Sequence, residues 1–135
     1  MQRNEILALL RKHGVHPTTQ RLEVADILLA RPQHLSAEQV IDRLRTNGSS
    51  ISKATVYNTL NLFEEVGLVK ERLVDPARRF FDSTTAPHHH FYNEDTGELK
   101  DIPTESLEIE NLPELPAGTE LLGAELIIRV RNKRE

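Results

Sequence analysis

Ser52-Lys53-Ala54-Thr55-Val56-Tyr57-Asn58-Thr59-Leu60 is the stretch on which the fold turns. Ser52 carries the side-chain oxygen of a helix N-cap, which accepts from a free N–H of the first turn. Val56, Leu60 and Phe63 recur at i, i+4 and i+7, the spacing of one buried helix face. Lys53, Thr55, Tyr57, Asn58 and Thr59 are then left on the outer face. Hydroxyl, amide and ammonium groups there can contact DNA phosphates or base edges, and a ring such as Tyr57 can pack on a thymine methyl. Most polar helix faces are only solvated, so the neighbouring elements decide between the two readings.

Upstream, Glu5–Lys12 reads as a short helix with Ile6, Leu7, Leu9 and Leu10 apolar and Gly14 as its stop. Pro17-Thr18-Thr19-Gln20-Arg21 opens a second helix, capped by Thr18 or Thr19 and ending before Arg31-Pro32. Ser36 with Gln39 three residues on has the form of a capping box, and Ala37, Val40, Ile41 and Leu44 continue as an apolar stripe. Downstream of Gly67, Leu68–Val74 and Arg79–Phe81 read as a hairpin around Asp75-Pro76-Ala77. Helices followed by a two-stranded hairpin are the plan of a winged helix-turn-helix, in which the last helix enters the major groove and the hairpin rides beside the backbone. The candidate DNA contacts are Thr18, Arg21, Ser52, Lys53, Thr55, Tyr57 and Asn58, with Arg78 (and Arg79) from the wing.

Charge agrees with that plan. The net charge of -4 divides unevenly: residues 1–80 hold 12 Lys/Arg against 9 Asp/Glu, a net +3, and residues 81–135 hold 5 against 12, a net -7. A mildly basic front half suits a nucleic-acid face. No segment approaches the ~20 apolar residues of a membrane span, and the first residues lack the apolar run of a signal peptide, so a cytoplasmic location is expected. With no cysteine in the chain, disulfides, thiol switches and Cys-based zinc sites are excluded.

The second half is built differently. Asp82-Ser-Thr-Thr-Ala-Pro-His88-His89-His90-Phe91-Tyr92 holds half of the six histidines in one run. On an extended backbone His88 and His90 project from one face and His89 from the other. A shared metal ion and a His-rich polar turn both remain open on these residues alone. His90–Tyr92, Leu99–Ile102 and Ala124–Arg131 read as strands, the last with Leu126, Ile128 and Val130 alternating with polar or outward neighbours. Three short strands make a poor independent core, so pairing with a second copy is expected, and a two-fold dimer also suits a two-fold operator. The expected fold class is therefore α+β: a winged helix-turn-helix DNA-binding domain over residues 1–82, then a small α/β dimerisation and sensing domain over 83–135.

Together, Pro17-Thr-Thr-Gln-Arg21, Ser36-Ala-Glu-Gln, Ser52-Lys-Ala-Thr-Val-Tyr57-Asn-Thr-Leu60, Glu64-Glu-Val-Gly-Leu-Val and the His-rich run resemble the ferric uptake regulator (Fur) superfamily over nearly the whole chain. Within it, Arg79-Phe-Phe-Asp82 leading to His88-His-His90-Phe91, Asp101-Ile102-Pro103 and the Ile127–Arg131 tail look most like the iron response regulator branch. The resemblance implies a dimeric transcription regulator, not an enzyme, acting on a palindromic A·T-rich duplex. It implies a regulatory ion at the interdomain hinge on His34, Asp82, His88, His90 and Asp101. Such a ligand set suits Fe²⁺ or Mn²⁺, with Zn²⁺ able to compete in vitro. Most relatives hold a structural zinc on two Cys-x-x-Cys pairs; here the first pair's positions read Asn93 and Thr96, so the resemblance implies that zinc is absent, a lack the iron response branch shares. In the iron response branch the three-histidine run is associated with haem, which would make His88, His89 or His90 an axial ligand. The alternative within the same class is a peroxide-stress regulator, in which a ligand histidine such as His34 is oxidised. A metal-dependent hydrolase would need a positioned base and a substrate pocket that nothing in the sequence supplies.

Overall fold

The computed structural model describes residues 2–75, 78–85 and 88–134. The chain forms two compact units, Met1–Thr85 and Ala86–Glu135. The first runs α1 (Arg3–Lys12), α2 (Thr19–Leu28), β1 (His34–Ser36), α3 (Ala37–Thr46), α4 (Lys53–Glu65), β2 (Lys70–Asp75) and β3 (Arg78–Asp82). The second runs β4 (His90–Asn93), β5 (Leu99–Asp101), one 3₁₀ turn (Thr104–Ser106) and β6 (Ile127–Val130).

Local chemistry sets the helix starts of the first unit. Thr18 caps α2, its hydroxyl accepting from the Arg21 N–H at 3.2 Å. Ser36 and Gln39 close a full capping box on α3, with the Gln39 N–H on Ser36 Oγ at 3.2 Å and the Ser36 N–H on Gln39 Oε1 at 2.8 Å. Ser52 caps α4 through the Thr55 N–H at 3.1 Å. Gly67, at φ +81°, makes the left-handed turn that releases the chain from α4 into β2. Ile6, Leu10, Val24, Leu28, Val40, Leu44, Val56, Leu60, Phe63 and Phe81 are fully buried together, so all four helices and β3 share one apolar core.

The wing is a three-stranded antiparallel sheet in the order β1-β3-β2, where the sequence reading has a two-stranded hairpin. The added strand is His34-Leu35-Ser36, which pairs with β3 in the register His34↔Asp82, Leu35↔Phe81 and Ser36↔Phe80. Three residues are too short to show a period of two, so only the partner strand reveals this one. The hairpin turn at Pro76-Ala77 lies outside the described residues. Thr59, expected on the outer face of α4, is buried, and its hydroxyl donates to the Thr55 carbonyl at 2.8 Å. It follows Val56 by three residues, and a small hydroxyl that satisfies itself on its own helix can sit on the inner face.

In the second unit the sheet order is β5-β4-β6, with β4–β5 antiparallel and β4–β6 parallel. Among the described residues its buried apolar side chains are Tyr92, Leu99 and Ile102. The alternation expected along the last strand does not appear as burial. Ile127 and Ile128 are both half-buried, while Leu126 and Val130 are 38% and 37% exposed. Among its described residues this unit forms no α-helix to pack on its sheet.

Candidate metal centre and nucleic-acid interface

His88 and His90 point the same way, as alternation along an extended chain requires, and the β4–β5 register sets Asp101 directly opposite His90. His88 Nε2 lies 3.1 Å from Asp101 Oδ1, and His90 Nε2 lies 3.2 Å from the same oxygen. The two imidazoles are 4.3 Å apart centre to centre and tilted by 52°. His90 is buried to 2% exposure, and its Nε2 faces Asp101 without the alignment of a hydrogen bond. The ligand atoms of His88, His90 and Asp101 lie within 4.8 Å of one another. Two nitrogens and one oxygen thus converge, and the chain has no thiol to join them. Two imidazoles and a carboxylate fit a borderline or hard divalent ion such as Zn²⁺, Fe²⁺ or Mn²⁺.

His34 and Asp82, the other two expected ligands, belong to the first unit and are opposed across the β1–β3 ladder. The His34 ring stands edge-on to Phe80, centroids 6.4 Å apart. Asp82 is 1% exposed; its Oδ1 accepts from the Thr84 N–H at 2.9 Å, and Arg72 Nε approaches its Oδ2 at 3.4 Å. Arg72 carried no weight in the sequence reading, since a lone Arg on a strand looks like a solvated cation.

His89 faces away from the pair, as expected, and has an occupation of its own. Its Nδ1 accepts from the Leu126 N–H at 2.8 Å, which ties the histidine run to the segment entering β6. A neutral imidazole accepting through Nδ1 carries its proton on Nε2 and has no lone pair there to give to an iron. At the expected zinc-knuckle positions, Asn93 Oδ1 accepts from the Asp95 and Thr96 N–H groups at 2.9 and 3.1 Å. The Asn93 amide donates to Asn132 Oδ1 at 2.9 Å, and the Asn132 N–H donates to Asp95 Oδ2 at 3.0 Å. Side-chain amides and a carboxylate close this turn onto the chain beyond β6.

On the first unit, Thr18 at the N-cap of α2, Arg21 of α2, and Thr55 and Asn58 of α4 line one cleft of about 260 Å³, joined by Gln20, Thr59 and Leu62. Gln20 was not singled out from sequence, because its place depends on how α2 lies against α4. Arg21 is braced by the His16 carbonyl at 3.0 Å. Lys53 and Asn58 are exposed, and Ser52 donates to Thr55 Oγ1 at 2.9 Å. Tyr57 is less free than expected: its hydroxyl donates to Glu38 Oε1 at 2.6 Å. That bond holds the Glu38 carboxyl below its ordinary range and pushes the Tyr57 phenol up. In the wing, Arg78 is exposed. Arg79 is committed elsewhere: it forks onto Glu71 at 2.6 and 2.9 Å, reaches Asn61 at 2.9 Å and lies over the Phe81 ring. It braces β3 against β2 and α4 rather than offering a ready phosphate contact.

The chain shares its fold with the ferric uptake regulator of Vibrio cholerae, at a TM-score of 0.74, 24% identity and coverage of 93% of this chain and 98% of that one. The manganese-containing ferric uptake regulator of Pseudomonas aeruginosa superposes with a TM-score of 0.71 at 31% identity, covering 99% of this chain and all of that one. The peroxide-responsive repressor PerR of Staphylococcus epidermidis is 35% identical over 109 residues, 80% of this chain and 73% of its own length. The model of the "Ferric uptake regulator family" matches residues 12–128. The chain belongs to the ferric uptake regulator family, a family of transcription regulators rather than enzymes.

Proposed function

We propose that this protein is a dimeric, DNA-binding transcriptional repressor whose grip on its operator depends on a divalent ion, Fe²⁺ or Mn²⁺. The convergence of His88 Nε2 and His90 Nε2 on Asp101 Oδ1 carries the reading. His34 and Asp82 are the further ligands in this proposal. The cleft lined by Thr18, Arg21, Thr55 and Asn58, with Ser52, Lys53, Tyr57 and Arg78, is the DNA face. Exposed Leu112, Leu115, Leu121, Leu122 and Val130 support a second copy on the second unit, since side chains such as Leu122 at 91% exposure are costly to leave in water. The ion acts by binding one conformation better than another, which shifts the population toward the DNA-binding state.

Two signals fit that centre. Iron and haem homeostasis, in the manner of the iron response regulator branch, is supported by the three-histidine run. Peroxide stress is supported by the similarity to the staphylococcal peroxide-responsive repressors. The deciding experiment follows binding to a palindromic A·T-rich duplex by fluorescence anisotropy. Affinity should rise with Mn²⁺ and fall steeply with salt. His90→Ala should remove the metal dependence, and Tyr57→Ala should weaken DNA binding without changing metal content. DNA affinity indifferent to both Mn²⁺ and His90→Ala would refute the reading. Peroxide added to the Fe²⁺ form should release DNA and add the mass of one oxygen to the His34 peptide if the signal is peroxide. A Soret shift lost in the His88/His89/His90 triple-alanine variant should appear if it is haem.

A further inference from the structure

Asp82 and Arg72, both residues of the first unit, are the two ends of a buried ion pair. The Arg72 side chain is 2% exposed and the Asp82 side chain 1%. Arg72 Nε approaches Asp82 Oδ2 at 3.4 Å, its Nη2 donates to the Thr84 carbonyl at 3.1 Å, and the Thr84 N–H donates to Asp82 Oδ1 at 2.9 Å. The guanidinium is therefore fixed at both ends, on the carboxylate and on the backbone just beyond it. Arg72 faces Phe80 across the β2–β3 ladder, and Asp82 lies two residues further along the same strand. A carboxylate this deep in protein needs a cation or it gives up its charge. Arg72 meets that need without any metal.

We propose that Arg72 is an internal competitor for Asp82 and sets the concentration at which the regulatory ion binds. This rests on the reading above that Asp82 is one of the ion's ligands. A divalent ion taking Asp82 meets a carboxylate already half neutralised, and it acquires a buried like charge as a neighbour. Both effects weaken binding, because in a poorly screened interior a unit charge a few ångströms away acts strongly. The consequence is a raised threshold: the apo state is stabilised by the protein's own cation, and the ion must reach a higher free concentration to displace it.

Arg72→Gln keeps a donor for Asp82 and the Thr84 carbonyl but removes the charge. It should lower the Mn²⁺ concentration for half-maximal DNA binding, and the Mn²⁺ dissociation constant measured calorimetrically, by about tenfold or more. Arg72→Lys keeps the charge and should stay close to wild type, which a merely structural role for the fork would not predict. If the Gln variant is poorly folded without metal, its thermal midpoint should rise more on adding Mn²⁺ than that of wild type. A dissociation constant unchanged or weaker in Arg72→Gln, or an equal or smaller midpoint rise, overturns the proposal. In that event, wild type that binds Mn²⁺ and loses it on His90→Ala leaves the metal centre standing. Saturable Mn²⁺ binding absent from wild type itself would remove the centre and the competitor together.

Discussion

The two units of this chain reach order by opposite means. The first, 85 residues long, buries Ile6, Leu10, Val24, Leu28, Val40, Leu44, Val56, Leu60, Phe63 and Phe81 in one apolar cluster. Among the described residues the second buries Tyr92, Leu99, Ile102 and the His90 imidazole, and exposed polar contacts, the His89–Leu126 hydrogen bond and the Asn93–Asn132–Asp95 knot, tie its strands together at the surface. Each fully buried large apolar side chain contributes about 1.5–3 kcal/mol, so the 21 buried apolar residues described in the first unit against three in the second are a difference in kind. A unit resting on polar contacts is tunable by what it binds, because an ion or a second subunit adds a large fraction of its total stability. Under the proposed function, that unit supplies the histidine pair and Asp101 to the ion, and the densely packed unit holds the proposed DNA face.

The largest test of this contrast is Phe63→Ala. It should cost the first unit about 3–5 kcal/mol, read as a fall in the helical unfolding midpoint by circular dichroism. A cost under 1 kcal/mol would mean the helical core is not what holds that unit. Next comes Asn132→Ala, which removes the acceptor for Asn93. It should cost about 0.5–1.5 kcal/mol, confined to the second unit and seen as faster amide exchange at Glu94 and in β4 with α2–α4 unchanged. Exchange that quickens equally in both units would dissolve the distinction. The smallest effect is Glu71→Gln. Arg79 holds the Glu71 carboxyl below its ordinary value of 4.5, so the pair's stabilisation is present above that value and disappears as pH falls through the depressed folded one. The ends are partly solvated, so the difference between wild type and variant at pH 7 should be under about 1 kcal/mol, and it should vanish in acid. A difference that grows below pH 4 would reverse the sign of the argument.

Legibility in the sequence followed the same divide. The caps at Thr18, Ser36 and Ser52 and the Val56-Leu60-Phe63 stripe are local signals, and the helices stand where those signals put them. Strand β1 was hidden because three residues carry no period, and Thr59 was misplaced because a threonine can satisfy its own hydroxyl on the inner face. His88, His90 and Asp101 were readable as candidate ligands from alternation and family resemblance, and the cross-strand register brings them together. Charge partners were not readable. That Arg79 belongs to Glu71, that Tyr57 leans on Glu38 and that Arg72 pairs with Asp82 depends on strand register and helix packing, which residue type does not encode.

The parallel pairing of β4 with β6 has a consequence for how the protein is made. His89 and Leu126, which bond at the mouth of that pair, are 37 residues apart. At about 5–20 residues per second on the ribosome, roughly 2–7 s separate the synthesis of the two strands. Through that interval β4 can pair with β5 alone, and one of its edges is bare. The histidines thus emerge before the strand that frames them, and a nascent chain with an open sheet edge is a target for chaperones and for neighbouring nascent copies of itself. Pausing during translation of residues 94–126 should therefore alter the yield of active protein more than an equal pause within the helical unit.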